Sequence, residues 1–329
     1  MQILITGGAG FIGSQIAERF IGGGHDVITL DNFDPYYSTS LKEYNVELCR
    51  EVSRETDGSF KLVKGDIRDE DLVNDLVEDV DIVFHKAAQA GVRKSVENPQ
   101  KPNDVNVGGT LNVLNAARKN EVERVVVASS SSIYGVSQYL PFDESHPARP
   151  VSPYGVSKLA TEQYSRVFYE VYGLPTVSLR YFTVYGPRMR PNMAISNFVS
   201  RCMNGKSPII FGDGSQTRDF TYISDAVNVN EKLLTDSSAD GQILNVGSNH
   251  NISIQELAET VVNEINPGIE IEYASRFEGD AEHTHADVTK LKDVLGYEPS
   301  VSIRHGVKEF IDWYKSEREW YEPLIYDGS

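Results

Sequence analysis

The sequence predicts an α/β fold, in which a doubly wound, mostly parallel sheet carries a smaller C-terminal lobe. Strand-like and helix-like runs alternate along the first half of the chain, a glycine-rich turn follows the first strand, and the candidate functional residues come at strand ends. Alternating units of this kind form parallel sheets through right-handed crossovers, with ligands at the carboxyl ends of the strands. We therefore expect a Rossmann-type domain over 1–182, rejoined by 221–248, and a smaller lobe over 183–220 and 249–329.

The composition limits the classes of function. The 329 residues are 40% hydrophobic and 24% charged, and no apolar run is long enough to cross a bilayer. A formal net charge of −17 argues against nucleic-acid or membrane partners. Cys49 and Cys202 are far apart, and Met1 leads directly into a strand, so we expect a cytoplasmic protein. His283 and His285 have no third ligand nearby, so we predict no metal site.

The first strand, 2–6, leads into the turn Gly7–Gly13, which opens a helix over 14–21. Glycines at these spacings let backbone amides and a helix N-terminus approach a pyrophosphate closely. The second strand, 26–30, ends in Asp31, where a carboxylate accepts hydrogen bonds from the adenosine ribose and repels a 2′-phosphate. The turn therefore predicts NAD rather than NADP as the cofactor.

Two further strands supply the rest of the expected cofactor site. The excursion 32–60 contains one helix, over 40–52, and no recognisable motif, whereas the strand after it ends at Asp66 and Ile67, where an adenine would lie. The strand 81–85 ends in His85, which we interpret as a core histidine, and small residues that suit a flat ligand follow. The residues assigned to NAD are Gly7, Gly10, Phe11, Ile12, Gly13, Asp31, Asn32, Asp66, Ile67, Ala87, Ala88, Gln89, Tyr154, Lys158 and Tyr181.

A helix over 102–118 and a strand over 124–128 lead to four consecutive serines, Ser129 to Ser132. In the next helix Tyr154 and Lys158 are four residues apart and share one face. A fixed cation beside a buried phenol favours the phenolate, so we expect Tyr154 to be a base with a lowered pKa. A serine hydroxyl at the strand end can bond the same substrate oxygen. The strand 175–182 completes the sheet.

These residues together resemble the extended short-chain dehydrogenase/reductase family, in particular its nucleotide-sugar epimerases, dehydratases and decarboxylases. The resemblance covers nearly the whole chain and implies that Tyr154 is the acid/base. It further implies that Lys158 binds the nicotinamide ribose and lowers the tyrosine pKa, that Ser130 bonds the reacting hydroxyl, and that Ser131 and Ser132 extend this network. A homodimer through the helices 102–118 and 154–172 is also implied.

The C-terminal half supplies the expected substrate contacts. We predict a polar hairpin tip at 212–220, a helix over 251–263 and a terminal helix over 302–317. Arginines at two sites of this half clamp the nucleotide diphosphate in related enzymes, a role that suits guanidinium geometry. The alternative is that they are surface arginines paired with carboxylates. The residues assigned to the substrate are Arg93, Ser130, Thr183, Arg190, Asn197, Arg218 and Arg276.

The reaction follows from what the serine cluster lacks. The family's dehydratases carry an Asp-Glu pair where this chain has Ser131 and Ser132, and the related decarboxylases carry Glu at the position of Ser132. Both reactions are therefore disfavoured, and C4 epimerisation through a transient 4-keto sugar remains. Some proteins of this fold are non-catalytic dinucleotide sensors, but they usually lack the Tyr154/Lys158 pair.

The segment 183–194 resembles uronate-specific 4-epimerases, in which an arginine at the position of Arg190 holds the C6 carboxylate. A bidentate arginine also keeps that carboxylate out of the alignment that favours loss of CO₂ from a β-keto acid. This predicts conversion of UDP-glucuronate to UDP-galacturonate. If Arg190 instead makes a phosphate or structural contact, UDP-glucose or UDP-N-acetylglucosamine is the better substrate. Lys86, in place of the usual aliphatic residue, and Asn197 depart from the pattern.

Overall fold

The computed structural model describes residues 1–275 and 282–326, which form twelve strands and a larger set of helices. The strands are β1 (Gln2–Thr6), β2 (Asp26–Asp31), β3 (Ser59–Lys64), β4 (Ile82–His85), β5 (Arg124–Ser130), β6 (Thr176–Tyr181), β7 (Thr183–Tyr185), β8 (Ile209–Phe211), β9 (Thr217–Tyr222), β10 (Ile243–Val246), β11 (Asn251–Ser253) and β12 (Glu272–Ala274). The helices are α1 (Phe11–Gly22), α2 (Thr39–Glu55), α3 (Glu70–Val77), α4 (Val92–Glu97), α5 (Gln100–Pro102), α6 (Gly109–Lys119), α7 (Pro153–Tyr172), α8 (Ala194–Met203), α9 (Ile223–Lys232), α10 (Ile254–Ile265), α11 (Thr289–Leu295) and α12 (Ile303–Tyr326).

Seven strands form one sheet in the order β10-β6-β5-β4-β1-β2-β3, and every neighbouring pair is parallel. The order turns back at β1 and β4, which lie side by side, and this arrangement confirms the doubly wound sheet. The segment 221–248 contributes α9 and the seventh strand, β10, which pairs with β6.

Alternate residues of the central strands pack on opposite faces of the sheet. On β1, Ile3 and Ile5 join one buried cluster, whereas Leu4 joins another. A third buried cluster, which includes Phe310 and Tyr314, draws most of its residues from 185 onward, together with Leu41 of α2. Because both faces of the sheet are covered, its inner strands β1 and β4 are mostly apolar, as is typical of parallel sheets, whereas the edge strand β3 is partly exposed.

Three predicted elements differ from the structure. The expected helix over 102–118 is divided, because a π-helical turn occupies Asn103–Gly108 before α6 begins. The expected hairpin at 212–220 does not form, since β8 pairs with β12 while β9 pairs with β7 and β11. The helix expected from residue 251 begins at Ile254, because Ser253 forms a capping box with Glu256 and ends the short strand β11.

None of the described helices is both long and apolar enough to cross a membrane.

Candidate active site

A cleft of about 460 Å³ lies at the carboxyl ends of the parallel strands. It extends from the glycine turn after β1 to the start of the C-terminal lobe. This is the position at which doubly wound folds bind their ligands. The cleft is lined by most residues assigned from the sequence: Gly7, Gly10, Phe11, Ile12, Gly13, Asp31, Asn32, Ile67, Ala87, Ala88, Gln89, Ser130, Ser131, Ser132, Tyr154, Lys158, Tyr181, Thr183 and Arg190.

The glycine turn leaves no room for side chains. Gly7 has φ of 71°, and a Cβ there would lie 2.7 Å from the amide nitrogen of Ala87. A Cβ on Gly13 would overlap the carbonyl oxygen of Gly7. Gly10 precedes the first residue of α1 and lines the cleft, so the N-terminus of this helix opens into it. This cradle of backbone amides fits the pyrophosphate of a dinucleotide.

Asp31 ends β2 and lies buried in the wall of the cleft. Its Oδ1 is 3.0 Å from the Nζ of Lys42 and accepts a 2.9 Å hydrogen bond from the amide of Phe33. Lys42 comes from α2, and its ammonium group lies 5.4 Å from the ring centroid of Tyr37. A paired, hydrogen-bonded carboxylate is held in a fixed orientation, as recognition of a ribose requires.

Asp66 follows β3 but its carboxylate is engaged by neighbouring side chains. Arg68 binds both of its oxygens at 2.9 Å, and Asn32 donates a 2.8 Å hydrogen bond. The Arg68 guanidinium holds the pKa of Asp66 well below its usual range. Asp66 therefore orders this end of the cleft from behind, while Ile67 and Arg68 line it.

The excursion 32–60 contributes more to the cleft than the sequence indicated. Its loop places Asp34, Tyr36 and Tyr37 in the wall, and α2 adds Lys42. Nothing in the sequence pattern indicates this contribution, because residues in an irregular loop have no periodicity that would place them.

Tyr154 and Lys158 lie side by side on α7, with the Lys158 Nζ 6.0 Å from the centroid of the Tyr154 ring. Ser130, at the end of β5, lines the same cleft, and its hydroxyl donates a 3.1 Å hydrogen bond to that of Ser132. Lys158 also donates a 2.7 Å hydrogen bond to the carbonyl of Ala128, which fixes its ammonium group under the cleft. The geometry thus brings a phenol, an ammonium and a hydroxyl together.

In the protein alone, the pKa of Tyr154 is raised rather than lowered as expected from the sequence. Burial of the phenol is the largest effect and raises its pKa, whereas the Ser130 hydroxyl and the charge of Arg190 act in the opposite direction. Burial also lowers the pKa of Lys158 to about 8, against the favourable charge of Glu162. For Tyr154, desolvation therefore outweighs the charge of Arg190, whereas we expected from the sequence that Lys158 would lower this pKa.

The floor of the cleft is held by polar contacts from the interrupted helix. Asn106, in the π-helical turn, accepts a 2.7 Å hydrogen bond from the amide of Gln89 and donates one of 2.8 Å to Ser157. His85 lies below, 2.7 Å from the Thr6 hydroxyl and 2.9 Å from that of Thr110. Burial lowers the pKa of His85 to about 3, which confirms it as a neutral core histidine.

Arg190 enters the cleft opposite the catalytic pair. Its Cζ is 5.4 Å from the ring centroid of Tyr36, and its Nη2 is 3.5 Å from the sulfur of Met193. Within residues 1–275 and 282–326, its buried Nη1 has no hydrogen-bond partner. A buried guanidinium nitrogen without an acceptor is costly, and an anionic ligand would satisfy it.

Three of the assigned substrate residues, Asn197, Arg218 and Arg93, lie outside the cleft wall. Asn197 donates a 3.0 Å hydrogen bond to the carbonyl of Met193, so it secures the loop that carries Arg190. Arg218 donates to the carbonyls of Thr217 and Glu282, and Arg93 is exposed beside the cleft. Neither contributes to the cleft wall. Arg276 lies outside the described residues.

Comparisons with known proteins identify the family of the chain. The family model described as GDP-mannose 4,6 dehydratase matches residues 4–310. UDP-glucuronate 4-epimerase of Thermodesulfobacterium geofontis is 37% identical over 325 residues, which cover 98% of each protein.

Two solved structures are also similar. UDP-glucuronic acid 4-epimerase of Bacillus cereus, in complex with UDP-glucuronic acid and NAD, is 33% identical with a TM-score of 0.89, covering 96% of this chain and 99% of that one. UDP-glucose 4-epimerase of Thermotoga maritima, with UDP-glucose, is 30% identical with a TM-score of 0.88, covering 97% and 100%. The chain therefore belongs to the extended short-chain dehydrogenase/reductase family, within the group that the GDP-mannose 4,6 dehydratase model describes.

Proposed function

We propose that the protein is an NAD-dependent nucleotide-sugar 4-epimerase that interconverts UDP-glucuronate and UDP-galacturonate. The observation that carries the choice of a uronate is Arg190, whose buried Nη1 lacks an acceptor and whose charge acts on Tyr154. A C6 carboxylate is adjacent to the C4–C5 region of the sugar on which an acid/base must act. The relatives named for UDP-glucuronate epimerisation support the same choice.

The residues of the cleft suit proton transfer at O4. Tyr154, as the phenolate, takes the O4 proton while the C4–H bond breaks and its hydride leaves, and the C4–O4 bond becomes a carbonyl. Bound NAD supplies the hydride acceptor and donor at C4, together with a positive charge that favours the phenolate. Ser130 holds O4 beside Tyr154. After the 4-keto sugar has turned its other face toward the cofactor and taken the hydride back at C4, Tyr154 returns the proton to O4.

Arg190 has a second task once the 4-keto sugar forms. A 4-keto uronate is a β-keto acid, and it loses CO₂ when the carboxylate C–C bond aligns with the carbonyl π system. Two parallel hydrogen bonds from a guanidinium fix the plane of the carboxylate. Tyr36, stacked on Arg190, in turn restricts the guanidinium, so epimerisation proceeds without decarboxylation.

The serine cluster argues against the related reactions. Ser131 and Ser132 line the cleft where dehydratases carry an Asp-Glu pair and decarboxylases carry Glu. A hydroxyl is a poor general acid or base compared with a carboxylate near neutral pH. A non-catalytic sensor is also disfavoured, because Tyr154, Lys158 and Ser130 are assembled as a proton-transfer site.

The alternative substrates are UDP-glucose and UDP-N-acetylglucosamine, and a direct assay separates them from the uronate. The purified protein, with no added cofactor, is incubated with each of the three sugars and the products are resolved by chromatography. UDP-galacturonate is expected, with little reaction of the neutral sugars. Efficient epimerisation of a neutral sugar alone would overturn the choice of a uronate.

Two variants define the roles of the site residues. Arg190→Met should lower kcat/KM for UDP-glucuronate by about 100-fold or more, because a charged hydrogen-bonded pair is lost, and should affect UDP-glucose far less. Equal losses on both sugars would contradict the carboxylate contact. Tyr154→Phe should lose most turnover but bind NAD normally, because only the proton transfer is removed.

We also propose that the protein is a cytoplasmic homodimer. Val156, Tyr164 and Val171 leave apolar surface exposed along α7, and both cysteines are free thiols. In light scattering after size-exclusion chromatography, Tyr164→Glu should give monomers. The matched change Tyr273→Glu, on the C-terminal lobe, should leave the mass unchanged. A monomeric native protein would contradict this interface.

A further inference from the structure

Lys86 is a buried amine in the floor of the cleft that neither the motif nor the proposed chemistry uses. It follows β4 directly, and its backbone amide donates a 3.0 Å hydrogen bond to the carbonyl of Thr6. The residue lines the cleft with part of its stem, while its Nζ is buried. Across the described ranges, 1–275 and 282–326, no acceptor lies within hydrogen-bonding distance of that Nζ.

The position of the amine within the cleft indicates which part of a dinucleotide it faces. Its Nζ lies 5.5 Å from the ring centroids of both Phe84 and Tyr181. Tyr181 ends β6 and is in register with Ser130, so the amine points away from β1 and toward the catalytic side. The adenosine end lies in the opposite direction, at the ends of β2 and β3 around Asp31.

The charge that acts on Lys86 is positive, like its own. Lys158, from α7, is the cation that acts on it, and Lys86 in turn acts on His85. Burial and the Lys158 charge together lower the pKa of Lys86 well below its ordinary value. Tyr181 contributes only a neutral hydroxyl, which accepts a hydrogen bond from Asn230. Among residues 1–275 and 282–326 no carboxylate contacts this amine, so only the two rings stabilise its ammonium form, and a further positive charge nearby would oppose it.

We propose that Lys86 is a cofactor-discriminating residue, whose ammonium group favours the reduced dinucleotide over the oxidised one in the cleft. This rests on the proposed use of NAD. The oxidised nicotinamide ring carries a positive charge and the reduced ring does not, whereas the diphosphate and adenosine are identical in the two forms. A cation on the catalytic side therefore distinguishes them, while a cation beside the diphosphate would not.

The test measures cofactor binding without any sugar, so it does not depend on epimerisation. The dissociation constants of NAD⁺ and NADH are measured by calorimetry on cofactor-free protein, for the native chain and for Lys86→Met. Methionine has a similar length and no charge, and no hydrogen bond is lost. We expect the ratio of the NAD⁺ to the NADH constant to fall about tenfold or more in the variant at the acid end of the pH range, where Lys86 carries its proton.

The pH dependence gives the proposal a second readout. As pH falls, more Lys86 is in the ammonium form, so the preference of the native protein for NADH should increase. Lys158 is present in both proteins and His85 stays neutral, so the pH dependence that Lys86→Met removes is the part that requires the Lys86 amine. The preference of Lys86→Met should depend less on pH.

Lys101→Met is the control, because Lys101 pairs with the cleft residue Asp34 near the adenosine end. It should change both constants by the same factor. An equal weakening of NAD⁺ and NADH by Lys86→Met would identify a diphosphate contact and overturn the proposal. An unchanged ratio at every pH would also overturn it. If Lys86→Met changes the ratio of the NAD⁺ and NADH constants but the native protein epimerises none of the three sugars, only the proposed function is rejected.

Discussion

Glu162 and Arg180 form a buried ion pair behind the catalytic residues, with an Oε2–Nη2 distance of 2.9 Å. Glu162 lies on α7 four residues after Lys158, and Arg180 lies on β6. Glu162 also accepts a hydrogen bond from Ser129, the residue before the expected substrate-binding serine. The pair therefore joins the helix that carries Tyr154 and Lys158 to the two strands beneath it.

Glu162→Gln should destabilise the protein by about 3 kcal/mol, because Arg180 would keep its charge in a buried site without its partner. It should also lower the pKa of Lys158, since the charge of Glu162 supports the ammonium form. Thermal unfolding measures the first effect, and the pH profile of epimerisation measures the second.

The double variant Glu162→Leu with Arg180→Met separates the two effects. Replacing both partners by apolar residues of similar size removes the unpaired charge and should recover much of the stability. The shift in the pH profile should remain, because Lys158 still lacks its neighbouring carboxylate. A profile that returned to that of the native protein would show that Glu162 acts on Lys158 only through the fold.

The second prediction concerns the alkaline limb of the native pH profile. Burial lowers the pKa of Lys158 to about 8, so the ammonium form is lost as pH rises through that value. If the ammonium group is needed for turnover, kcat/KM should also fall as pH rises above about 8. Lys158→Arg should be slower, because the fork of a guanidinium fits the site poorly, but should lose this limb. A limb that persisted in the arginine variant would belong to another group.

A third prediction tests the glycine cradle by sterics alone. Gly13→Ala should abolish cofactor binding and cost about 1–3 kcal/mol of stability, because its Cβ would overlap the Gly7 carbonyl. Gly108→Ala is the matched control, because no atom lies within 4 Å of its Cβ and its backbone is helical. The control should bind NAD normally, as measured by calorimetry. Normal binding by Gly13→Ala would reject the cradle.

The parts of the site that the sequence predicted are those encoded locally. The strand before Gly7 and the helix after it identify the turn, and a spacing of four residues places Tyr154 and Lys158 on one face. Ser130 could be placed because parallel strands end at one edge of the sheet. Each inference needed only one element and the general geometry of the fold.

The remaining features depend on contacts between distant elements. The pairing of Glu162 with Arg180 requires the packing of α7 on β6, and Lys42 reaches Asp31 because α2 packs beside α1 and β3. The raised pKa of Tyr154 depends on how deeply the phenol is buried, which a spacing pattern does not contain. The π-helical turn at Asn103–Gly108 contains Asn106, whose side chain bonds Gln89 and Ser157. These partners come from distant parts of the chain, so the pattern of the helix itself does not predict the turn.

The fourth prediction follows from the stacking of Tyr36 on Arg190. The Tyr36 ring lies against Gly91, so closely that a Cβ on Gly91 would overlap the Tyr36 hydroxyl. The backbone at Gly91 therefore supports the ring beside Arg190. Tyr36→Ala should free the guanidinium and lower kcat/KM for UDP-glucuronate by about tenfold, since a stacked cation contributes roughly 1 kcal/mol and its orientation is lost as well. UDP-glucose turnover should change less, because that sugar lacks the carboxylate.

Tyr36→Phe is the matched control, because it keeps the ring beside Arg190 and removes only the hydroxyl. It should retain the preference for the uronate. Chromatography of the products should also detect decarboxylated sugar with Tyr36→Ala, because a mobile guanidinium no longer fixes the plane of the carboxylate. If Tyr36→Phe lost the preference as fully as Tyr36→Ala, the hydroxyl rather than the stacked ring would be the group that supports Arg190.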